Sequence, residues 1–277
     1  MFGTLYIVGT PIGNMEDITF RAVRILKEAN LIVAEDTRNT RKLLIHYDIH
    51  TKAISYHKFS DDSKVNMIIN TLKKGDNIAL VSDAGTPCVS DPGNELVARS
   101  IKENIKIDFI PGACASLAAL VLSGFDLSKG FAFLGFPPRK TSELRCFFES
   151  NKNLPYAFCI YESPHRLLKT LSIIQDVMEN NRLISVSREI TKLFEENVRG
   201  SAEELISYFS AKEIKGEIAI VIDFCNENEE KQITSDEIKS LLEDFVKKGY
   251  SKKDSIKLCA EKLKISKNLV YEIANKL

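Results

Sequence analysis

Three loops rich in glycine and hydroxyl residues hold the side chains best suited to grip a polar ligand. The longest, SDAGTPCVSDPG (82–93), places two Asp, two Gly, two Pro and three hydroxyl residues in twelve positions. Plain connections have a median of about 4 to 6 residues, so this loop is longer than a connection requires. Its backbone donors and the carboxylates of Asp83 and Asp91 suit a polar ligand, although Asp side chains also cap turns. GTPIGN (9–14) joins Gly9 and Gly13, which permit close backbone approach, to Pro11, which stiffens the turn. It is neither GxGxxG nor a P-loop, and alone it reads as a tight strand-to-helix connection. PGACAS (111–116) opens an apolar run. Free N–H groups at a helix start, beside small residues, leave room either for a ligand or for a second helix.

Cations gather in four further segments. AEDTRNTRKLL (34–44) sets Arg38, Arg41 and Lys42 around a strand-to-helix junction, which is either a solvated face or a phosphate-binding edge. FPPRK (136–140) carries Arg139 and Lys140, YESPHR (161–166) carries Arg166, and REITKLFEENVRG (188–200) mixes both charge signs. His165 has no Ser or Cys partner specified, so a hydrolytic triad has no support.

The elements that must position these loops alternate. Short apolar runs at 4–8, 31–34, 78–81 and 105–110 predict strands, and helical periods follow at 22–29 (Ala22, Val23, Leu26 and Ala29 on one face), 65–72 and 95–102. Such alternation predicts a mostly parallel sheet with helices on its faces. Ligands of open α/β sheets bind outside the carboxyl ends of the strands, where these loops lie. A second unit looks more mixed, with strands at 131–134, 156–161, 183–186 and 217–224 and helices at 165–178 and 202–209. The expected organisation is an α/β domain over 1–115, a second over 116–225, an acidic linker over 226–232 and a three-helix tail over 233–277. In the tail, Ile238, Leu241, Leu242 and Phe245 follow the i, i+3, i+4, i+7 pattern, as do Ile256, Cys259, Ala260 and Leu263, and Val270, Ile273, Ala274 and Leu277. Thr234 with Glu237, and Ser251 with Asp254, give the first two helices capping-box starts. The last two helices resemble a helix-turn-helix pair.

Composition narrows the class. The 277 residues carry 38 Lys+Arg against 38 Asp+Glu and are 44% apolar, enough for a substantial core. No apolar run approaches the roughly 18 to 20 residues of a membrane helix, and the start MFGTLYIVG lacks the basic stretch of a secretory signal. Cysteines at 88, 114, 146, 159, 225 and 259 show no CxxC spacing, which predicts reduced cytoplasmic thiols and no zinc site. The zero net charge is an average: from 248 to 277 eight Lys face three acids, 8 − 3 = +5.

GTPIGN, AEDTR, SDAGTPCVSDPG, PGACA, YESPHR and REITK, in this order, resemble the small-subunit ribosomal RNA methyltransferases of the tetrapyrrole methylase superfamily. The resemblance spans about residues 4–225, and the tail looks like that group's helical extension. It implies a two-domain tetrapyrrole methylase-like α/β fold, with a mostly parallel first sheet, a mixed second sheet and a small helical bundle. It also implies S-adenosylmethionine as cofactor and 2′-O-methylation of a cytidine ribose in the decoding region of 16S ribosomal RNA. A homodimer without membrane association is implied as well.

Carried over position by position, the resemblance assigns the cofactor to Gly9, Ile12, Asp83, Gly85, Thr86, Cys114, Ala115, Tyr161, Glu217 and Ile218. Cys114 stands where many relatives have Ser. RNA contacts are expected from Arg38, Arg41, Lys42, Arg139, Lys140, Arg166, Lys252 and Lys253. A ribose hydroxyl needs its proton removed, so a base within hydrogen-bond reach helps. Glu189, Glu162 and, if its pKa is depressed, Lys192 are the candidates, and each also reads as an ion-pair partner of Arg188, Arg166 and their neighbours. Two other functions fit the same pattern: a tetrapyrrole C-methyltransferase, and a non-catalytic RNA-binding assembly factor.

Overall fold

Neighbouring residues of the run Ile78–Val81 are buried in two different cores, which explains its unbroken apolarity. Ile78 and Leu80 join a cluster with Leu5, Val33, Ile68 and Leu96, while Ala79 and Val81 join Val8, Leu26, Ile32 and Leu43 on the opposite face. The computed structural model describes residues 1–57, 62–178, 182–224, 235–263 and 266–274. In it this run is the central strand, β4, of a five-stranded sheet. The others are β1 (Thr4–Val8), β2 (Leu31–Ala34), β3 (Ala53–Ser55) and β5 (Lys106–Ile110), in the order β3-β2-β4-β1-β5 with every pairing parallel. The crossovers are helices α1 (Phe20–Glu28), α2 (Thr37–His46), α3 (Asp62–Lys73) and α4 (Asn94–Lys102). Thr19 and Asp36 start α1 and α2 by accepting the N–H groups of Ala22 and Arg38.

The second sheet comprises β6 (Phe131–Phe133), β7 (Ala157–Glu162), β8 (Ile184–Arg188), β9 (Glu196–Gly200) and β10 (Ile218–Ile222). Its order is β6-β7-β10-β8-β9, with β6 parallel to β7 and the remaining pairs antiparallel. Helices α6 (Thr141–Asn151), α7 (Leu167–Val177) and α8 (Ala202–Ser210) cover one face through Phe148, Leu171, Ile174 and Phe209. Helix α5 (Ala115–Ser123) leaves the last loop of the first sheet and packs on the other face. There Ala119 and Leu120 meet Cys159, Ala219 and Val221. Ile12, from the loop after β1, belongs to that same cluster. That cluster thus draws on both halves, and 1–225 forms one compact unit.

The expected strands appear within two residues of their predicted bounds. Three elements were not read from the sequence. β3 is only three residues long. β9 (ENVRG) lies at a sheet edge and carries charge instead of alternating apolar residues, as protected edges do. In α6, Leu144 and Phe148 are its two buried side chains, too sparse a stripe to announce a helix.

The second unit holds α9 (Ser235–Lys247), α10 (Lys252–Leu263) and α11 (Lys267–Ala274). Ile238, Leu242, Ile256, Cys259, Ala260, Val270 and Ala274 form its core, with Leu241, Phe245, Leu263 and Ile273 packed against it. Ser251 starts α10 as expected: its hydroxyl accepts the Asp254 N–H (3.2 Å) and donates to the Asp254 carboxylate (2.6 Å). The acidic linker 226–232, the Thr234 cap and Leu277 lie outside the described residues.

Gly9 and Gly112 hold the loops after β1 and β5 together. A Cβ on Gly9 would lie 2.8 Å from the Gly112 Cα, and one on Gly112 would lie 2.9 Å from the Gly9 Cα. Both obstacles are backbone, so neither can swing aside. Gly9→Ala and Gly112→Ala are each expected to destabilise the protein by about 1–3 kcal/mol through overpacking, read as a lower thermal midpoint. An unchanged midpoint in both variants contradicts this contact.

Candidate active site

The loops at the carboxyl ends of the first sheet are bound to one another before they meet anything else. Thr10 and Gly85 exchange backbone hydrogen bonds of 2.8 and 3.1 Å, joining the loop after β1 to the loop after β4. The Thr10 hydroxyl donates to the Gly85 carbonyl (3.2 Å), and Thr86 Oγ1 donates to the Ala113 carbonyl (3.2 Å), which adds the loop after β5. Gly85 has φ +81°, which glycine adopts without steric cost. Cys88 and Ser90, in the same loop, sit at φ +71° and +69° without that freedom. Held backbone strain of this kind collects at functional sites.

The second sheet supplies the facing wall. Tyr161, at the end of β7, stacks with Phe133 and Phe136, and its hydroxyl accepts the Ser116 N–H in the first turn of α5 (3.0 Å). Burial, ahead of other effects, pushes that phenol up to about 12. Beside it, buried Glu162 accepts from the Ser163 N–H (2.7 Å) and the Thr170 hydroxyl (2.6 Å) and pairs with Arg166 at 3.3 Å. Arg166 in turn donates to the Pro137 and Pro138 carbonyls, fixing the loop that carries Phe136.

After β8, Glu189 (φ +53°) and Thr191 (φ +66°) turn the chain back toward the first sheet. Lys192 Nζ then lies 2.7 Å from Glu189 Oε1 and 2.9 Å from Glu217 Oε2. Thr191 Oγ1 accepts the Asn14 N–H (3.1 Å), a direct tie between the two sheets' loops.

Between these walls lies a cavity of about 440 Å³, within the roughly 300–1,000 Å³ of small-molecule sites. Among the described residues its lining includes five carboxylates, Glu35, Asp83, Asp91, Glu162 and Glu217, and no Lys, Arg or His. Three of the five are satisfied within the protein. Asp83 accepts from the Asp36 N–H (3.0 Å) and the Asn39 amide (2.9 Å), Glu162 pairs with Arg166, and Glu217 pairs with Lys192. Asp83 is held by neutral donors only, and Glu35 and Asp91 have no cation partner among the described residues. Burial first, then the Glu35 charge, pushes Asp91 up to about 6 against a hydrogen bond from Ser82. Burial, followed by Asp83, raises Glu35 as well. A second cleft of about 230 Å³ adjoins, sharing Ile12, Asp83, Ala84 and Glu217 and adding Asn39, Lys42 and Lys192.

Nine of the ten positions assigned to the cofactor come together around the first cavity: Ile12, Asp83, Gly85, Thr86, Cys114, Ala115, Tyr161, Glu217 and Ile218. Gly9 does not; it is spent on Gly112. Cys114 precedes α5, its sulfur 3.2 Å from Ser116 Oγ, and makes no side-chain cap. Among the base candidates, Lys192 must be corrected. Burial alone would lower its pKa, but the Glu189 and Glu217 carboxylates outweigh it and raise the lysine above its usual value. Glu189 lines neither cavity. Burial pushes it up, yet hydrogen bonds from Lys192 and the Glu217 N–H leave it below the usual carboxylate range, so it is a fixed anion. Both oxygens of Glu162 are already engaged.

Of the expected RNA contacts, Arg166 is turned inward onto the proline carbonyls. Arg38 is highly exposed but paired with Asp36, and Lys140 is paired with Glu143. Arg41, Lys42, Arg139, Lys252 and Lys253 are exposed. Sequence reading missed Glu35 and Phe136. Glu35 sits in AEDTR and Phe136 in FPPRK, segments read for their cations.

Residues 4–206 match the family model of the tetrapyrrole (corrin/porphyrin) methylases. Ribosomal RNA small subunit methyltransferase I of Halalkalibacterium halodurans is 43% identical, covering 98% of this chain and 94% of its own. The chain belongs to the tetrapyrrole methylase family, in its ribosomal RNA small subunit methyltransferase I branch. The Bacillus subtilis and Synechocystis members of that branch are 40% and 39% identical over 98% and 99% of the chain. Their coverage includes the helical second unit, which the family model does not reach.

Among solved structures, uroporphyrin-III C-methyltransferase from Thermus thermophilus complexed with S-adenosyl homocysteine aligns at TM-score 0.57. Its identity is 17%, and 80% of this chain and 97% of that one are covered. A diphthine synthase aligns at TM-score 0.63 and 14% identity, covering 80% and 90%. At these identities the likeness is one of fold. Among the described residues no helix is long and apolar enough to cross a membrane, and no cluster of His, Cys, Asp and Glu is arranged to hold a metal.

Asp91 makes the cavity's charge measurable. Its native pKa, about 6, lies above an unfolded value near 3.9, so the folded state binds the extra proton. The Asp91 contribution to stability is most favourable below pH ~4, declines as pH rises toward ~6, and stays reduced above it. Asp91→Asn removes that penalty. Discounted for partial exposure, the variant should be about 1–2 kcal/mol more stable than the parent at pH 7.5, with a flatter thermal midpoint between pH 4 and 6.5. A destabilised variant that keeps the parent's pH slope would show that Asp91 is not the strained group.

Proposed function

We propose that this chain is an S-adenosylmethionine-dependent methyltransferase acting on the 16S ribosomal RNA of the small subunit, at the 2′-hydroxyl of a cytidine ribose in the decoding region. Kinship at 39–43% identity over nearly the whole chain, second unit included, carries this reading. The charge of the cavity agrees with it. S-adenosylmethionine has a net positive charge, and a wall of five carboxylates, of which only Glu162 and Glu217 are paired with a cation, suits such a ligand. When bound, it supplies a methyl group on a sulfonium, which passes to the ribose oxygen as that hydroxyl loses its proton, leaving a neutral thioether.

The protein's part is to align and enclose. Glu35 and Asp91 face the cationic portion. Tyr161, Phe136 and Ile218 give the site an apolar side that excludes water, and Gly85, Cys114 and Ala115 let the backbone come close. Lys192, pinned between Glu189 and Glu217, works as a fixed charge joining the walls and not as a base. Exposed Arg41, Lys42, Arg139, Lys252 and Lys253 provide local attraction to phosphate on a chain of zero net charge. The same reading makes the enzyme cytoplasmic and homodimeric, and exposed Leu117, Val121, Leu193 and Phe194 offer apolar surface for a second copy.

Labelled methyl transfer tests the reading. Given small subunits isolated from cells lacking this protein, the chain should label their RNA and leave uroporphyrinogen unlabelled. The labelled cytidine should resist alkaline cleavage on its 3′ side, as a blocked 2′-oxygen requires. Label on uroporphyrinogen alone would support the tetrapyrrole alternative, and binding of subunits without any cofactor binding would support a non-catalytic assembly factor. Lys252→Glu with Lys253→Glu should weaken small-subunit binding about tenfold and flatten its salt dependence, with cofactor affinity unchanged. Equal subunit affinity in that variant removes the tail's role.

A further inference from the structure

Two adjoining cavities of unlike charge share one wall. Among the described residues the larger is lined by five carboxylates and no cation; the smaller, across Ile12, Asp83, Ala84 and Glu217, contains Lys42 and Lys192. A phosphate-bearing molecule is repelled by the first cavity and can approach the shared wall from the second. Resting on the methyltransferase reading, we propose that the second cleft is the subsite for the nucleotide being modified, with its phosphate at Lys42 and its sugar against the shared wall.

The cleft is built for this division. Asn39 and Lys42 stand three residues apart on α2, and so on one side of that helix. The Asn39 amide donates to Asp83 Oδ2 at 2.9 Å, which anchors the helix to the wall and leaves Lys42 exposed at the rim. Pro11, Gly13 and Met15 form the opposite side. Gly13 is required there: a Cβ would lie 2.4 Å from Lys192 Cγ and 2.8 Å from Thr191 Oγ1. Through this gap the Lys192 stem crosses the first loop and sets its ammonium between Glu189 and Glu217. Lys192 is thereby balanced by two carboxylates, and Lys42 remains to meet a phosphate. Thr10 and Thr40, also in the lining, spend their hydroxyls on the Gly85 and Asp36 carbonyls and shape the cleft without adding charge.

The test uses the full chain, Lys42→Glu, and Lys27→Glu as a control for an exposed cation outside the cleft. In methyl transfer to small subunits, Lys42→Glu should raise KM about tenfold or more with kcat changed less than about threefold, an effect of the size of one close charge pair. Lys27→Glu should leave KM within about twofold. Titration by NMR, with S-adenosyl homocysteine present, should show cytidine 5′-monophosphate binding several-fold more tightly than cytidine, and Lys42→Glu should abolish that phosphate increment. Equal affinity for nucleotide and nucleoside in the parent overturns the subsite, as does a KM in Lys42→Glu no worse than in Lys27→Glu. A parent that transfers no methyl to RNA yet shows a Lys42-dependent phosphate increment would overturn the reading of the reaction and keep the cleft.

Discussion

Placing two carboxylates in a cavity without a cation is costly, and Glu35 and Asp91 impose that cost on the loops around them. Burial raises both groups, reinforced by the Asp83 charge at Glu35 and by the Glu35 charge at Asp91, which reaches about 6. A fold selected for stability alone would have paired them, as it pairs Glu162 with Arg166 and Glu217 with Lys192. Among the described residues the lining holds no Lys, Arg or His to offset that charge, which the proposed cationic cofactor would balance. Most of the surrounding architecture can be understood as holding that arrangement in place.

The restraint comes from backbone more than from side chains. Thr10 and Gly85 cross-link the loops after β1 and β4, Gly9 and Gly112 press the first of these against the loop after β5, and Thr191 accepts the Asn14 N–H across to the second sheet. Left-handed turns at Cys88, Ser90, Glu189 and Thr191 lie in the loops that these contacts restrain. Such turns are affordable where the surroundings over-determine them. On the facing wall the chain Glu162–Arg166–Pro137 fixes Phe136, which stacks on Tyr161, whose hydroxyl is tied to α5. One cavity thus depends on four loops of each sheet.

Much of this was legible in the sequence because burial leaves a pattern. β4 reads as a strand since both of its faces are covered, and the loop 82–93 stands out since it exceeds what a connection needs. What stayed hidden has physical causes. β9 keeps its edge polar, and so lacks the alternation that marks a strand. Arg166 reads as a phosphate ligand because sequence shows a guanidinium and not the proline carbonyls that capture it. Lys192 invited the idea of a depressed lysine, but two carboxylates distant in sequence reverse the sign. Glu35 was passed over for the cations beside it, although its place at the carboxyl end of β2 was a sufficient signal.

The central claim is that the uncompensated carboxylates receive the cationic methyl donor, and proton linkage tests it most directly. Calorimetric titration of S-adenosylmethionine at pH 6, in buffers of different ionisation enthalpy, measures protons exchanged on binding. A cation beside Asp91 lowers its pKa, so binding should release up to about half a proton at pH 6 and almost none at pH 8. Neutral S-adenosyl homocysteine should release less, and Asp91→Asn should abolish the difference between the two ligands. Binding of S-adenosylmethionine at pH 6 with no proton release, or with release unchanged in Asp91→Asn, would contradict the account.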